Sequence, residues 1–301
     1  MRIATWNVNS LKARMDHVVW WLERAEPDVL LVQETKLADD DAPLLPFRMR
    51  GYELLHHGEG RWNGVAICSR KPFEQGTVLT NFGDGPVRNS AAGAAAGLAE
   101  EDFNPFDEAR MLSAVIDGVR YVSLYAPNGR LVGSPFYAGK LAWFERLRTW
   151  LAEAAGNGEP LVVGGDLNVA PTDADVWDAS AVHGGTHVSE AERVCFRALL
   201  EQGLVDAYRL RRSEAGRFSW WDYRAGNFHK NLGMRIDHLL LSPALAERVV
   251  WAEIDREARK GKPIPSDHAP VVIDVDEPGR PIDAGWEGAL ERIAARTHPR
   301  R

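Results

Sequence analysis

Short apolar runs alternate with stretches whose apolar residues recur at helical spacing, almost from end to end of this 301-residue chain. Strands that must be covered by intervening helices build layered α/β domains, so the pattern selects the α/β class. Arg2–Trp6 reads as the first strand. Asn9 or Ser10 can cap a helix over 11–25, with Met15, Val18, Val19 and Leu22 on its apolar face, and Pro27 ends it. Buried strands are predicted at Asp28–Gln33, Val65–Ser69 and Leu112–Asp117. Gly118 then turns the chain into Arg120–Tyr125, an antiparallel hairpin that makes the sheet mixed.

Ser134-Pro135 opens a helix that runs to about Ala155, burying Phe136, Leu141, Phe144, Leu147 and Leu151, before Gly156 and Gly158 stop it. Leu161–Gly164 is the next buried strand, and Ser189-x-x-Glu192 is a capping box for a helix ending near Gly203. Further strands are expected at 217–221, 235–241, 249–254 and 270–275. Two segments stand apart. Residues 82–109 lack periodicity and hold the run AAGAAAG, so they read as a long, mobile insertion; residues 277–301 read as a tail outside the core. The expected organisation is one domain over 1–276 followed by that tail.

Charge narrows the functional classes. The net charge of -7 excludes a globally basic, histone-like DNA binder but not an enzyme that grips phosphate through a local patch. Residues 208–236 carry Arg209, Arg211, Arg212, Arg217, Arg224, Lys230 and Arg235 against Glu214 and Asp222, and are the natural place to look for such a patch. No apolar run approaches the roughly 20 residues of a membrane span. Cys68 and Cys195 form neither a disulfide scaffold nor a zinc spacing. With no signal-like start, the cytoplasm is the expected compartment.

Chemistry collects at strand ends, where a rigid sheet can aim side chains at a ligand. Asn7 follows the first strand, Glu34 the second, and Asp166 with Asn168 a third; Asp267 and His268 precede the last, and Asp237 sits in an otherwise apolar run. Hard oxygen ligands (Glu34, Asp267, the Asn7 amide) suit Mg²⁺ or Mn²⁺, with room left for a phosphate oxygen. Asp166 can take a proton from attacking water, while Asn168 and a protonated His268 can donate to charge developing at phosphorus. Asp237 can orient the His268 ring. Each residue also has a plainer reading. Glu34 can be a surface acid beside Lys36, Asn7 and Asn168 caps or turn residues, Asp267-His268 a solvated turn, and Tyr125 and Trp220 core aromatics. Taken together the plain readings fail, because one chain would have to place all these types at strand ends by accident.

The ordered set TWNVNS (5–10), QETK (33–36), GVAI (64–67), LYAPNG (124–129), GDLNVAPTDAD (165–175), FSWWDYR (218–224), RIDHLLLS (235–242) and SDHAP (266–270) resembles the exonuclease III type of abasic-site endonuclease, within the endonuclease/exonuclease/phosphatase superfamily. The resemblance implies a four-layer α/β sandwich, two mixed β-sheets facing each other with helices outside. It implies a Mg²⁺-dependent phosphodiesterase, with Mn²⁺ as a substitute. Its partner would be double-stranded DNA, cut 5′ to abasic sites or trimmed at blocked 3′ ends; no membrane partner is expected without an apolar span, and a monomer is expected because a small lesion site needs no two-fold partner. It assigns Glu34, Asn7 and Asp267 to the metal, and Asp166, Asn168, His268, Asp237 and Tyr125 to catalysis. Trp220, Met234 and Ile236 would form the apolar slot for an extruded sugar, and Arg235 would grip the backbone. Arg130 lies in the 128–137 loop, which in this family can probe the DNA groove. That loop and the 82–109 insertion depart from the family pattern. The competing readings are a phosphoesterase acting on a small phosphorylated substrate and a DNA-binding scaffold without activity.

Overall fold

The computed structural model describes residues 1–83, 97–99 and 103–297. Among the described residues twelve strands form two mixed sheets. The first has the order β11-β12-β1-β2-β4-β3, built from β1 (Arg2–Asn7), β2 (Val29–Gln33), β3 (Glu53–His57), β4 (Val65–Ser69), β11 (Val249–Ile254) and β12 (Val271–Val275). The second has the order β5-β6-β7-β8-β10-β9, from β5 (Leu79–Thr80), β6 (Met111–Ile116), β7 (Val119–Tyr125), β8 (Leu161–Asp166), β9 (Val205–Asp206) and β10 (Asp237–Leu241). Each sheet has one parallel pair at its centre, β1 with β2 and β7 with β8, flanked by antiparallel neighbours. The four-layer arrangement expected from the resemblance is the one observed.

Period-two alternation sorts the strand residues into layers. Ile3, Leu31, Ile67, Leu112, Val162, Leu239 and Ile273 point between the sheets and form the central core. The alternate residues Ala4, Trp6, Leu30 and Val32 face the Leu11–Ala25 helix. Val122, Leu124, Leu161 and Val163 face the Pro135–Gly156 and Glu190–Leu200 helices. Gly164 lies against the opposite sheet, where a Cβ would lie 2.6 Å from Leu31 Cδ1. At Gly165 a Cβ would lie 1.9 Å from the Leu124 carbonyl oxygen. The two glycines before Asp166 are therefore a packing requirement of the strand that delivers it.

Several expectations are revised. Ser10 caps the first helix, whose buried stripe is Leu11, Val18, Trp21, Leu22 and Ala25; Met15 and Val19 are only half-buried. The hairpin turn falls at Asp117-Gly118, both with left-handed φ (54° and 73°). Residues 217–221 form no strand of their own; Trp220 makes isolated bridges to Met234 and His268 instead. Part of the segment expected outside the core is packed into it. Trp286 and Ala284 join the central cluster, and Trp286 Nε1 donates to the Ile254 carbonyl at 2.6 Å. A tryptophan is stabilised there because its ring gains burial and its polar edge gains a partner. Most of the 82–109 insertion lies outside the described residues, but Phe82 and Phe106 at its two ends are buried in one cluster beside Trp143. Among the described residues no helix is long and apolar enough to cross a membrane.

Candidate active site

The registers bring the strand-end residues to one place. Asn7 on β1 pairs with Gln33 on β2, so Glu34 emerges beside Asn7. Tyr125 on β7 is level with Asp166 on β8, and Asp166 with Asp237 on the antiparallel β10. His268 precedes β12, which runs antiparallel to β1 and reaches the same end. The site is the seam where the two sheets meet. Asn7, Glu34 and His268 belong to the first sheet; Tyr125, Asp166 and Asp237 belong to the second.

The side chains join across that seam. Asn7 Nδ2 donates to Glu34 Oε1 (2.8 Å) and to Asp166 Oδ2 (3.0 Å). His268 Nδ1 lies 2.9 Å from Asp237 Oδ2, and its Nε2 lies 3.8 Å from Asp166 Oδ2. The Asn168 amide N–H donates to Asp166 Oδ1 at 2.9 Å, and Asn168 Nδ2 to the Ala126 carbonyl at 3.0 Å. Lys36 Nζ bridges Glu34 Oε2 (2.8 Å) and Asn9 Oδ1 (2.6 Å), and Asn9 Nδ2 continues the chain to Asp267 Oδ1 (2.9 Å). Trp220 Nε1 donates to Asp267 Oδ2 at 3.1 Å. Ser266 Oγ locks the SDH turn by donating to the Asn7 carbonyl (2.6 Å) and accepting from the His268 N–H (3.1 Å). Asn9, Ser10, Glu34, Lys36 and Asn168 all have left-handed φ between 45° and 86°. Such backbone costs energy in non-glycine residues and persists where surrounding bonds over-determine it.

Burial and like charge set the protonation states. Burial, with Asp237 and Glu34 nearby, pushes the Asp166 carboxyl up to about 7 despite the opposing His268. Burial works against a charged His268, but Asp237 and Asp166 outweigh it and raise the ring to about 10. Burial, then the Glu34 charge, raises the Tyr125 phenol well above its ordinary value. Ligand atoms of Glu34, Asp166 and His268 lie within 4.8 Å of one another. An imidazolium is no ligand, so the donor set for a cation is two carboxylates, which is hard-oxygen chemistry. Of the three expected ligands, Glu34 is in this group. Asp267 is outside it, its oxygens being taken by Asn9 and Trp220, and the Asn7 amide points its NH₂ at the carboxylates.

The expected substrate residues divide. Trp220 stands beside the centre, its ring 6.4 Å from His268. The residues expected to form the slot, Trp220, Met234 and Ile236, lie in one cluster. Met234 is 9% and Ile236 2% exposed, packed with Val176 and Val188, and the His187 ring stands 6.3 Å from Trp220. Arg235 is not available to DNA: it is 1% exposed, with Nε on Asp175 (2.6 Å) and Nη1 on Asp206 (2.8 Å). A guanidinium is retained at such depth because two carboxylates compensate its lost hydration. Arg224 and Lys230 of the basic stretch are exposed, but its other arginines are likewise engaged by the fold. Arg209 pairs with Asp175, Arg212 and Arg217 pair with Glu253, and Arg211 donates to the Val249 carbonyl. Arg130 is exposed, its guanidinium 3.6 Å over the Phe136 ring.

Sequence patterning missed one buried polar group behind Asn168. Lys140 is fully buried on the Pro135–Gly156 helix, ion-paired with the equally buried Glu192. Its Nζ also donates to the carbonyls of Asn168 (2.8 Å) and Asn128 (3.3 Å). His187 Nδ1 lies 2.6 Å from the same Asn168 carbonyl oxygen, and burial, then Lys140, lowers that imidazole to about 4. The signal was present in part, since Glu192 is the third position of the capping box. Nothing in the periodicity marks Lys140.

Residues 4–268 match the model of the endonuclease/exonuclease/phosphatase family. The chain is 31% identical over 281 residues to exodeoxyribonuclease III of Haemophilus influenzae, covering 90% of this chain and 98% of that one. Among solved structures, a 3′ phosphatase, NExo, from Neisseria bound to a product DNA hairpin superposes with a TM-score of 0.81 at 35% identity, covering 92% of this chain and 100% of that one. An AP endonuclease from Archaeoglobus fulgidus superposes with a TM-score of 0.80 at 33% identity, with the same coverage.

Proposed function

The chain belongs to the endonuclease/exonuclease/phosphatase family and is an exodeoxyribonuclease III-like hydrolase; from that premise we propose that it hydrolyses P–O3′ bonds in double-stranded DNA with a divalent cation, Mg²⁺ or Mn²⁺. One bond accounts for all the activities the resemblance implies. Breaking it 5′ to an abasic site, at a 3′-terminal nucleotide or at a 3′-phosphate leaves a 3′-hydroxyl each time. The observation that carries the reading is the cross-sheet cluster itself: Asn7, Glu34, Asp166, Asp237 and His268 joined by direct contacts at one seam.

In this reading Asp166 accepts the proton of the attacking water, its carboxylate held at the seam by Asn7 and by the Asn168 backbone N–H. His268, kept charged by Asp237, donates to the non-bridging oxygen that gains charge at phosphorus. Glu34 and Asp166 would hold the cation, which when bound supplies Lewis-acid polarisation of the phosphoryl group. Asn7 keeps the two carboxylates in register by donating to both. Asn168 anchors Asp166 through its backbone, and Tyr125 closes the seam beside Glu34.

Between the kinds of DNA substrate, the burial of Met234 and Ile236 beside Trp220 favours 3′-end cleaning. An extruded sugar would have to displace His187, Met234 or Ile236, whereas a terminal 3′-phosphate needs no slot. The test is a labelled duplex carrying a 3′-phosphate, beside one with an internal abasic analogue, each with Mg²⁺ and with EDTA. Mg²⁺-dependent removal of the 3′-phosphate, faster than incision at the abasic site, is the expected result. Cleavage of neither duplex would end the nuclease reading and turn attention to a small phosphorylated substrate.

A further inference from the structure

Five arginines are buried among the described residues, and two of them lack a counter-charge. Arg2 pairs with Asp274, Arg110 with Glu108 and Arg235 with Asp175. Arg256 and Arg259, 6% and 7% exposed, have no carboxylate within ion-pair distance among the described residues. Arg259 is held by the SDH turn, its Nη1 donating to the Ser266 carbonyl at 2.7 Å. Arg256 has a single bond, from Nη2 to the Phe228 carbonyl at 3.3 Å, and its Nε is buried without a partner. Its guanidinium lies 4.2 Å over the Phe228 ring and 5.6 Å from that of Trp286. Rings cover a cation, but they do not restore the hydration it has lost. Burial lowers this guanidinium to about 10; Glu257 opposes that, while Arg259 and Arg292 add to it.

We propose that the missing counter-charge is the phosphate group of a ligand, bound in the pocket between Arg256 and the Ala289–Thr297 helix. The pocket has a volume of about 190 Å³, and no carboxylate is among its described lining residues. Its donors come from three elements: His229 from the Asn227–Lys230 turn of helix, Arg256 from the Arg256–Arg259 turn, and Arg292 from the C-terminal helix. Glu257, the acid beside Arg256 in sequence, is turned to Lys260 at 2.5 Å. Arg292 is exposed and donates to the Glu287 carbonyl (3.0 Å), with no ion pair among the described residues. A carboxylate offers two oxygens in one plane to one fork. A phosphate offers oxygens in several directions, which donors arriving from three elements require.

The site lies apart from the carboxylate cluster and does not depend on the nuclease reading. Arg292 also lies beyond residues 4–268, which match the family. Trp286, seated in the central core, holds the start of that helix against the Arg256 turn. The phosphate has two possible sources, a free phosphate ion or a backbone phosphate of a nucleic-acid strand. The second is within reach because the same turn is tied to the SDH segment through Arg259.

The experiment has one arm for each source. Thermal unfolding is followed in inorganic phosphate and in chloride at equal ionic strength, for the wild type, Arg256→Gln, Arg292→Ala and His268→Ala. A free phosphate at this site should raise the Tm of the wild type and of His268→Ala, which removes the donor at the cluster, and the shift should vanish in both arginine variants. In the second arm a labelled duplex is titrated against Asp166→Asn and Asp166→Asn/Arg292→Ala over a series of salt concentrations. A backbone phosphate at this site should make the loss of Arg292 raise Kd by about tenfold and flatten the slope of log K against log salt by about one. Either result supports the site and identifies the source. Arg292 is exposed, so its variant decides the matter even where Arg256→Gln does not fold. If the arginine variants match their parents in both arms, the site is wrong. If phosphate shifts the Tm as expected while no duplex is bound or cut, the phosphate site stands and the nuclease reading fails.

Discussion

Asp237 and Asp166 are both buried carboxylates within reach of one imidazole, yet they have different work. Asp237 gives His268 a direct bond at 2.9 Å, while Asp166 stands off at 3.8 Å. Removing the Asp237 charge leaves His268 with the burial penalty and one weaker partner. Asp237→Asn should therefore lower kcat/KM by about 100-fold or more, the scale of losing one charged donor to the transition state. The sign of the pH effect follows. A proton held to about pH 10 in the wild type is lost at lower pH in the variant, so the alkaline fall in activity moves toward neutrality. An unchanged alkaline limb would show that His268 does not act as a cation. His187 makes the second residue-scale case. It is neutral, buried and beside Trp220, so His187→Ala should enlarge the space beside that ring and raise abasic-site incision relative to 3′-phosphate removal. A constant ratio of the two rates would sink the idea that this ring selects the substrate. At this scale the strand-end residues Asn7, Glu34, Asp166, Asp237 and His268 were legible, because polar types interrupt apolar runs only where something is built from them. The destination of Arg235 was not, since charge in a linear stretch does not reveal which carboxylates it will meet.

Helices and strands were legible in proportion to how one-sided they are. Central strands and the Leu11–Ala25 and Glu190–Leu200 helices show the clearest periodicity, whereas β3, β5 and β9 are edge strands, short or half-exposed, and leave no apolar run to read. The Pro135–Gly156 helix shows the limit of periodicity. It buries Tyr137, Lys140, Trp143 and Trp150 as well as the expected Phe144, Leu147 and Leu151, while Phe136 and Leu141 are only half-buried. Its first two turns face Glu192 and the loops around Asn128 and Asn168, so a lysine takes a position that a leucine would hold over a purely apolar layer. Removing one partner of such a pair strands the other charge without hydration. Lys140→Met should cost about 3–5 kcal/mol of unfolding free energy, read by urea denaturation. Lys140→Met/Glu192→Gln should recover part of that loss. A single variant as stable as the wild type would mean that Glu192 is satisfied by its bonds from Ser189 and the His187 N–H alone.

Across the whole molecule, the two sheets repeat one plan: a central parallel pair whose C-terminal ends converge on the seam. Glu34 follows β2 of the first sheet and Asp166 ends β8 of the second, so the two carboxylates of the proposed cation site are contributed by opposite layers of the sandwich. Without a cation, burial first, then the Asp237 charge and least the Glu34 charge, raise the Asp166 carboxyl to about 7. A divalent ion held by both carboxylates would remove that repulsion and tie the layers together. It would bind the folded chain and not the unfolded one, since the ligands are far apart in sequence. Linkage then sets the size of the effect at about 2.7 kcal/mol when the free ion is at 100 times its dissociation constant. Mg²⁺ or Mn²⁺ should raise the Tm of the wild type in a concentration-dependent way, and Ca²⁺-free EDTA-treated protein should define the baseline. In Glu34→Gln one half of the bridge loses its charge, and the shift should shrink to a small fraction of the wild-type value. An equal shift in wild type and Glu34→Gln would place the stabilising ion elsewhere, and the seam would then be held by Asn7 and His268 without a metal bridge.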